Sequence, residues 1–332
     1  YRDPMNRIFE ASDPVFEEHI TTELEAVENS LLESTRSEYP FVSETSRHLV
    51  VAGGKRFRPL LVLLAAEFGD PNAPGVVPAA VVVELTHLAT LYHDDVMDEA
   101  TMRRGATSAN ARWDNTVAIL TGDFLFARAS QILADLGPEA VRIQAETFER
   151  LCIGQIKETV GALEGEDPVK HHISVLSEKT GSLIATSGRF GAMLSGCNQT
   201  TIETLTQFGE QIGVAFQLAD DIVDITSDSD QSGKTPGTDL REGVPTLAAL
   251  IALTETTPEG EHLRGLLSRP LPDPTEHALA LELLRNHASL NEARLEARRW
   301  ADEARRTLEP LPDIAAKETL IALCDYVVTR TG

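Results

Sequence analysis

Apolar positions recur at helical spacing along most of the chain. Residues 15–34 place Val15, Ile20, Leu24, Val27 and Leu31 three to five positions apart, one stripe of an amphipathic helix. Residues 59–68 are apolar all round, which suits a helix buried on every side, and Pro59 fits its first turn. The segment 78–98 runs from Pro78 to Asp98 without a breaker. The same reasoning predicts helices over 114–135, 138–160, 169–194, 200–226, 245–253, 275–288, 291–308 and 313–329. Strict two-residue alternation is scarce, so strands are few. Short turns punctuate the helices at Gly69-Asp70-Pro71, Gly137-Pro138, Gly165 to Pro168 and Gly196 to Asn198. The longest polar stretch, 227–245, has the length of a functional or mobile loop. No repeat and no linker divides the chain, so the pattern predicts one all-α domain over 1–332.

Composition removes several function classes. Hydrophobic residues make up 42% and charged residues 24%, enough for a sizeable core and against disorder. Aromatics, at 5%, are thin for a sandwich or barrel. Fifty-two acids against 29 bases leave a net charge of −23. Such a body repels phosphate backbones and anionic lipid, so neither nucleic acid nor a membrane surface is an expected partner. Cys152, Cys197 and Cys324 lie far apart without zinc-type spacing, which points to a reducing compartment and no disulfide framework. No apolar run approaches the roughly 18 residues of a membrane span. The first residues, Tyr1-Arg2-Asp3-Pro4, do not read as a signal peptide. The expectation is a soluble, cytoplasmic, acidic globular protein.

Chemistry concentrates in two segments, Asp94-Asp95-Val96-Met97-Asp98 and Asp220-Asp221-Ile222-Val223-Asp224, both of the form D-D-x-x-D. Positions i and i+4 share a helix face, so Asp94 projects with Asp98 and Asp220 with Asp224. Like charges at that spacing destabilise a bare helix, and apolar residues lead into both segments. A carboxylate pair at the end of a buried helix needs a counter-charge. Mg²⁺ fits best, because it takes one or two carboxylates together with substrate phosphates. A solvated acidic face explains one such segment in so acidic a chain. Two copies with matched apolar lead-ins argue against it.

Bases are few and clustered. Gly53-Gly54-Lys55-Arg56-Phe57-Arg58-Pro59 precedes the buried helix, Arg103-Arg104-Gly105 follows the first aspartates, Lys179-Thr180-Gly181 lies mid-chain, and Lys234 sits in the polar loop. Arg forks and Lys point charges bind diphosphate oxygens. Two look-alikes fail on chemistry. Ser232-Gly233-Lys234-Thr235 resembles the end of a Walker A loop, but Asp228 stands where the first Gly belongs and no strand precedes it. Residues 228–239 resemble an EF-hand loop, but Pro236 and Asp239 break its ligand pattern. His171 and His172 are adjacent, point to different helix faces and make a poor metal pair.

With these residues in place, the chain resembles the trans-isoprenyl diphosphate synthase (polyprenyl synthetase) family. The matching pieces are G-G-K-R-F-R-P at 53–59, H-D-D-V-M-D-E-A-T-M-R-R-G at 93–105, G-D-F-L at 122–125, K-T at 179–180, F-Q-L-A-D-D-I-V-D at 216–224 and G-K-T-P-G-T-D-L-R-E-G at 233–243, covering about residues 50 to 250. The resemblance implies an all-α isoprenoid-synthase bundle around a deep central cavity, commonly a homodimer. It implies a Mg²⁺-dependent prenyltransferase that condenses isopentenyl diphosphate onto an allylic diphosphate. Carried over by motif, Asp94 and Asp98 ligate Mg²⁺ from one side and Asp220 from the other. Three Mg²⁺ per site are implied when substrate is bound, with Asp95, Asp221 and Asp224 in support. Arg103, Lys179, Thr180, Gln217 and Lys234 hold the allylic diphosphate, and Lys55, Arg58, His87 and Arg104 hold isopentenyl diphosphate. One departure is Val244, where many relatives carry Lys.

Product length follows from the same resemblance. Ala89 and Thr90, one turn before the first aspartates, form the upper wall of the path for the growing chain. Short-chain members of the family tend to carry Phe or Tyr there. Small side chains favour a long product, heptaprenyl to decaprenyl, of the kind used for quinone side chains, with Phe124 and Phe126 as weaker floor candidates. The alternatives are a short-chain geranylgeranyl or farnesyl diphosphate synthase, and the large subunit of a synthase that needs a small partner subunit. A non-catalytic helical scaffold has no reason to keep six such carboxylates. A terpene cyclase would carry a second motif of the N-S-E type.

Overall fold

The computed structural model describes residues 13–227, 236–244, 246–254 and 258–330. In chain order the helices are α1 (Pro14–Ser34), α2 (Pro40–Val51), α3 (Phe57–Ala66), α4 (Val76–Met97), α5 (Ala109–Arg112), α6 (Asn115–Leu136), α7 (Pro138–Val160), α8 (Pro168–Leu176), α9 (Ser182–Leu194) and α10 (Gln199–Thr226). They continue as α11 (Thr238–Glu242), α12 (Leu247–Thr254), α13 (Pro258–Leu267), α14 (Pro274–Arg285), α15 (Ala288–Thr307) and α16 (Ala315–Thr329). A two-stranded antiparallel hairpin, β1 (Met102–Arg103) with β2 (Ala106–Thr107), is the only sheet among the described residues. The all-α expectation holds.

Two compact units make up the chain. The first comprises Tyr1–Phe148, Leu183–Gly209 and Pro310–Leu320, the second Glu149–Ser182, Glu210–Glu309 and Ile321–Gly332. In the first, every residue of α3 from Pro59 to Ala66 is buried, as its unbroken apolar run requires. Each buried Leu or Val there contributes about 1.5–3 kcal/mol. The second unit builds its core on one face of α10, where Val214, Leu218, Ile222 and Ile225 pack with Leu247 of α12, Leu284 of α14 and the Ala293 and Ala297 stripe of α15. Arg285 closes the C-terminal end of α10 by donating to the carbonyls of Ile225 (2.6 Å) and Ser227 (2.8 Å).

Some features were not legible in the periodicity. Helix α2 buries Thr45 and Ser46 beside Leu49 and Val50, so polar letters occupy its core face. They are satisfied internally: Ser46 Oγ donates to the Thr35 carbonyl at 2.9 Å and Thr45 Oγ1 to the Val42 carbonyl at 3.2 Å, while the Tyr92 hydroxyl donates to the Thr45 carbonyl at 2.6 Å. The predicted helix over 169–194 is interrupted by a single π-helical turn, Ser177–Gly181. Gly154 of α7 makes room for it, because a methyl there would lie 2.7 Å from the Lys179 backbone nitrogen. The expectation about membrane-length segments needs a correction, since α4 and α6 both reach 22 residues with a mean hydropathy of 1.3. Of the apolar window in α4, 67% is buried, the mark of a core helix.

Candidate active site

In the first unit, α4 delivers Asp94 half-buried and Asp98 exposed at its C-terminal end. The helix dipole is negative there, a field unfavourable to both carboxylates that a bound cation would offset. Asp95 turns inward. It is fully buried and accepts from Arg103 Nε of β1 at 2.7 Å, while its Oδ2 has no hydrogen-bond partner. Burial pushes the Asp95 carboxyl above the usual range, against the pull of Arg103.

Around α3 and α4 the predicted cations gather. Burial lowers the Arg58 guanidinium to about 10, with Arg104 adding to the shift and Glu84 opposing it. His87 is pushed well below its ordinary value by burial and by Arg58, Arg104, Arg103 and Arg56, so it is a neutral imidazole near pH 7. Arg104 lies across the glycine loop, where a methyl at Gly54 would meet its Cζ at 2.8 Å. It donates to the Gly53 carbonyl and, at 3.3 Å, to that of Leu49. Lys55 is exposed on the same loop. Among the proposed wall residues, Thr90 donates to the His87 carbonyl at 2.7 Å. Ala89 is fully buried, and a methyl at Gly122 of α6 would lie 3.1 Å from its carbonyl oxygen. Phe126 packs against Phe148 with ring centroids 4.5 Å apart, and Phe124 lies under Arg128.

In the second unit, α10 carries the other aspartates. Asp220 is half-buried and pairs with Arg330, whose guanidinium lies 4.9 Å from the Phe216 ring centroid. Asp221 is buried between Gln217 Nε2 (3.3 Å) and His172 Nε2 (3.5 Å). Burial raises its carboxyl above the ordinary value, with both neighbours pulling the other way. Asp224 accepts the backbone N–H groups of Thr238 (3.3 Å) and Asp239 (3.2 Å) at the start of α11. Thr180 donates to Gln217 Oε1 at 3.4 Å, and Lys179 Nζ pairs with Glu158 at 2.5 Å. Lys234, with the Walker-like residues and the EF-hand-like Asp228 and Asp230, lies outside the described residues.

The sequence assigns no role to Arg56, Glu84, Glu158 or Arg330, and it considers His172 only as a metal partner of His171. Only Arg56 stood inside a motif; Glu84 comes from α4 itself, ahead of its aspartates, and Glu158, His172 and Arg330 meet the predicted residues through contacts from elsewhere in the second unit. Among the described residues, no three His, Cys, Asp or Glu side chains converge to hold a metal by themselves. The donor set still fits a hard cation that completes its shell with water and phosphate oxygens. Asp94 and Asp98 offer carboxylate oxygens on the less buried side of α4, where an acid pair has a dipole to overcome.

Comparison with known proteins points the same way. The polyprenyl synthetase family profile matches residues 39–284. Nonaprenyl diphosphate synthase of Mycobacterium tuberculosis is 49% identical over 321 residues, covering 96% of each chain. A geranylgeranyl pyrophosphate synthase from Corynebacterium glutamicum, solved with calcium and isoprenyl diphosphate, superposes with a TM-score of 0.87 at 47% identity, covering 96% of this chain and 98% of that one. A decaprenyl diphosphate synthase from Rhodobacter capsulatus gives 0.88 at 31% identity, covering 99% of both.

Proposed function

The chain belongs to the polyprenyl synthetase family, and from that premise we propose that it condenses isopentenyl diphosphate with an allylic diphosphate to make a long all-trans polyprenyl diphosphate. The observation that carries the reading is that each unit carries one D-D-x-x-D segment and that the first also gathers partly buried arginines around His87, in a chain of net charge −23. An acidic protein binds acidic substrates when local cations and metal supply the positive charge.

Asp94 and Asp98 from α4 and Asp220 from α10 are the proposed Mg²⁺ ligands, three ions per site, with Asp95, Asp221 and Asp224 in support. When bound, the metal supplies Lewis-acid stabilisation of the diphosphate leaving group. The chain's own residues do the rest. Arg103, Lys179, Thr180, Gln217 and Lys234 hold the allylic diphosphate, and ionisation of its C–O bond leaves an allylic cation. Lys55, Arg58, His87 and Arg104 hold isopentenyl diphosphate so that its double bond attacks that cation. Neutral His87 serves as a hydrogen-bond donor there and adds no further positive charge. The departing diphosphate takes the final proton, so no side-chain base is needed.

Small residues at Ala89 and Thr90 support the long product, heptaprenyl to decaprenyl. The shorter geranylgeranyl product has one observation in its favour, the burial of Ala89 against α6 at Gly122. Helix α6 exposes Ile119 (42%) and Leu120 (61%), which supports a homodimer through that face. Product analysis tests the reading: the purified chain, Mg²⁺, isopentenyl diphosphate and a geranyl, farnesyl or geranylgeranyl primer, with an EDTA control. A ladder ending at about 35 to 50 carbons, seven to ten isoprene units long, is expected. A stop at 20 selects the short-chain reading, and no product without a second subunit selects the heteromeric one.

A further inference from the structure

Glu84 belongs to none of the motifs, yet it lies at the centre of the cation cluster. It sits on α4 three residues before His87 and is 2% exposed. Its Oε1 accepts from Arg56 Nη1 at 3.0 Å and lies 3.8 Å from Arg104 Nη2. Arg58 also feels its charge. A single buried carboxylate thus serves guanidiniums from the glycine loop and from the β1–β2 hairpin.

Backbone geometry shows what this contact holds in place. Arg56 and Arg104 both occupy the left-handed region, with φ of 48° and 52°. Each such residue costs about 1–3 kcal/mol and persists only where surrounding contacts over-determine it. The Arg56 side chain is 11% exposed and turned inward, bonded to Glu84 and, at 2.7 and 2.9 Å, to Glu28 of α1. Its loop neighbour Lys55 stays exposed. Arg104 is fixed over Gly54 on the same loop. A buried negative charge is an odd neighbour for a diphosphate site, unless its work is to hold the cations together before the anion arrives.

We propose that Glu84 is a positioning residue for isopentenyl diphosphate: it clamps Arg56 and Arg104 so that the Gly53–Arg58 segment and the β1–β2 turn together present Lys55, Arg58 and Arg104 as a preformed anion cradle. The inference rests on the assignment of these cations to isopentenyl diphosphate. Two effects of removing the charge oppose each other, and their sign decides the matter. At fixed geometry, loss of a nearby carboxylate tightens anion binding. Loss of the clamp loosens the cradle and weakens it.

The test is calorimetric titration of Glu84→Gln with isopentenyl diphosphate alone and, separately, with an allylic diphosphate and Mg²⁺, alongside KM for both substrates. The dissociation constant for isopentenyl diphosphate should rise about tenfold, equivalent to about 1.4 kcal/mol. The allylic value should stay within about twofold, well inside the scatter of independent sites. Arg56→Met should show the same split, and the double variant should be no worse than the poorer single. Should Glu84→Gln not fold, Glu28→Gln loosens Arg56 from the more exposed side and should move the same constant, by less. Unchanged or tighter binding of isopentenyl diphosphate overturns the proposal, as does an equal loss for both substrates. A wild-type chain that binds allylic but not isopentenyl diphosphate overturns the assignment beneath it, and the proposal with it.

Discussion

In the first aspartate cluster the buried member, Asp95, faces a guanidinium at 2.7 Å; in the second, Asp221 faces an imidazole at 3.5 Å and an amide at 3.3 Å. The outer members differ as well, with Asp98 exposed and Asp220 already paired with Arg330. The same five-letter pattern therefore meets the cost of a buried carboxylate in two ways. The Arg103 guanidinium gives Asp95 a cation that opposes the burial raising its carboxyl. Asp221 has one amide hydrogen bond from Gln217 and an imidazole nitrogen 3.5 Å away but no guanidinium, so burial raises its carboxyl and favours holding a proton.

The largest expected effect concerns what the clusters share. Asp94→Ala should lower turnover by about a hundred- to a thousandfold, the scale for removing one stabiliser of developing charge. It should also abolish any Mg²⁺-induced rise in melting temperature while the metal-free melt stays put. Near wild-type turnover would remove the metal role from α4.

The next tests separate the clusters. Arg103→Met strands the Asp95 carboxylate and should destabilise the fold by about 2 kcal/mol, less than for a fully buried pair because Arg103 is partly solvated. His172→Phe should cost about 1 kcal/mol, since Asp221 retains Gln217 and the option of a proton. Urea denaturation reads both, and equal losses would erase the distinction.

A pH series sharpens it further. The folded-state value of Asp221 lies above its ordinary 3.8, so the folded chain holds the extra proton between the two values. Its contribution to stability is full below the ordinary value and is lost as pH rises through the raised one. Asp221→Asn should flatten that decline and stabilise the protein near pH 7. Asp95→Asn should bring no such gain, because Arg103 loses its partner.

The smallest effect on rate should come from Ala89→Phe. Ala89 is fully buried beside Gly122, so the ring overpacks the α4–α6 contact by about 1–3 kcal/mol. The product should shorten while turnover stays near wild type; an unchanged product places the length control elsewhere.

Much of this was legible in the chain. The stripes of α1 and α10, the apolar run of α3 and the unbroken 78–98 segment all translate into helices at nearly the expected bounds. Helix α2 was not legible, because polar Thr45 and Ser46 take its buried face, where their hydroxyls donate to the Val42 and Thr35 carbonyls. The π turn was not legible either, because the room for it comes from Gly154, more than twenty residues earlier. Site residues divide in the same way. The aspartates and cations inside motifs could be named, whereas Glu84, Glu158 and Arg330 could not, and nothing local tied His172 to Asp221.

By itself, the sequence determined the helical class, the ends of the helices that carry carboxylates, and the chemistry those carboxylates require, since each depends on residue type and on spacing within one element. Tertiary structure alone decided which aspartate of each pair is buried and what it faces. It also decided that Arg56 turns inward and that Glu84 gathers guanidiniums from two loops. Those outcomes depend on which remote side chains share a low-dielectric interior, and no local spacing encodes that.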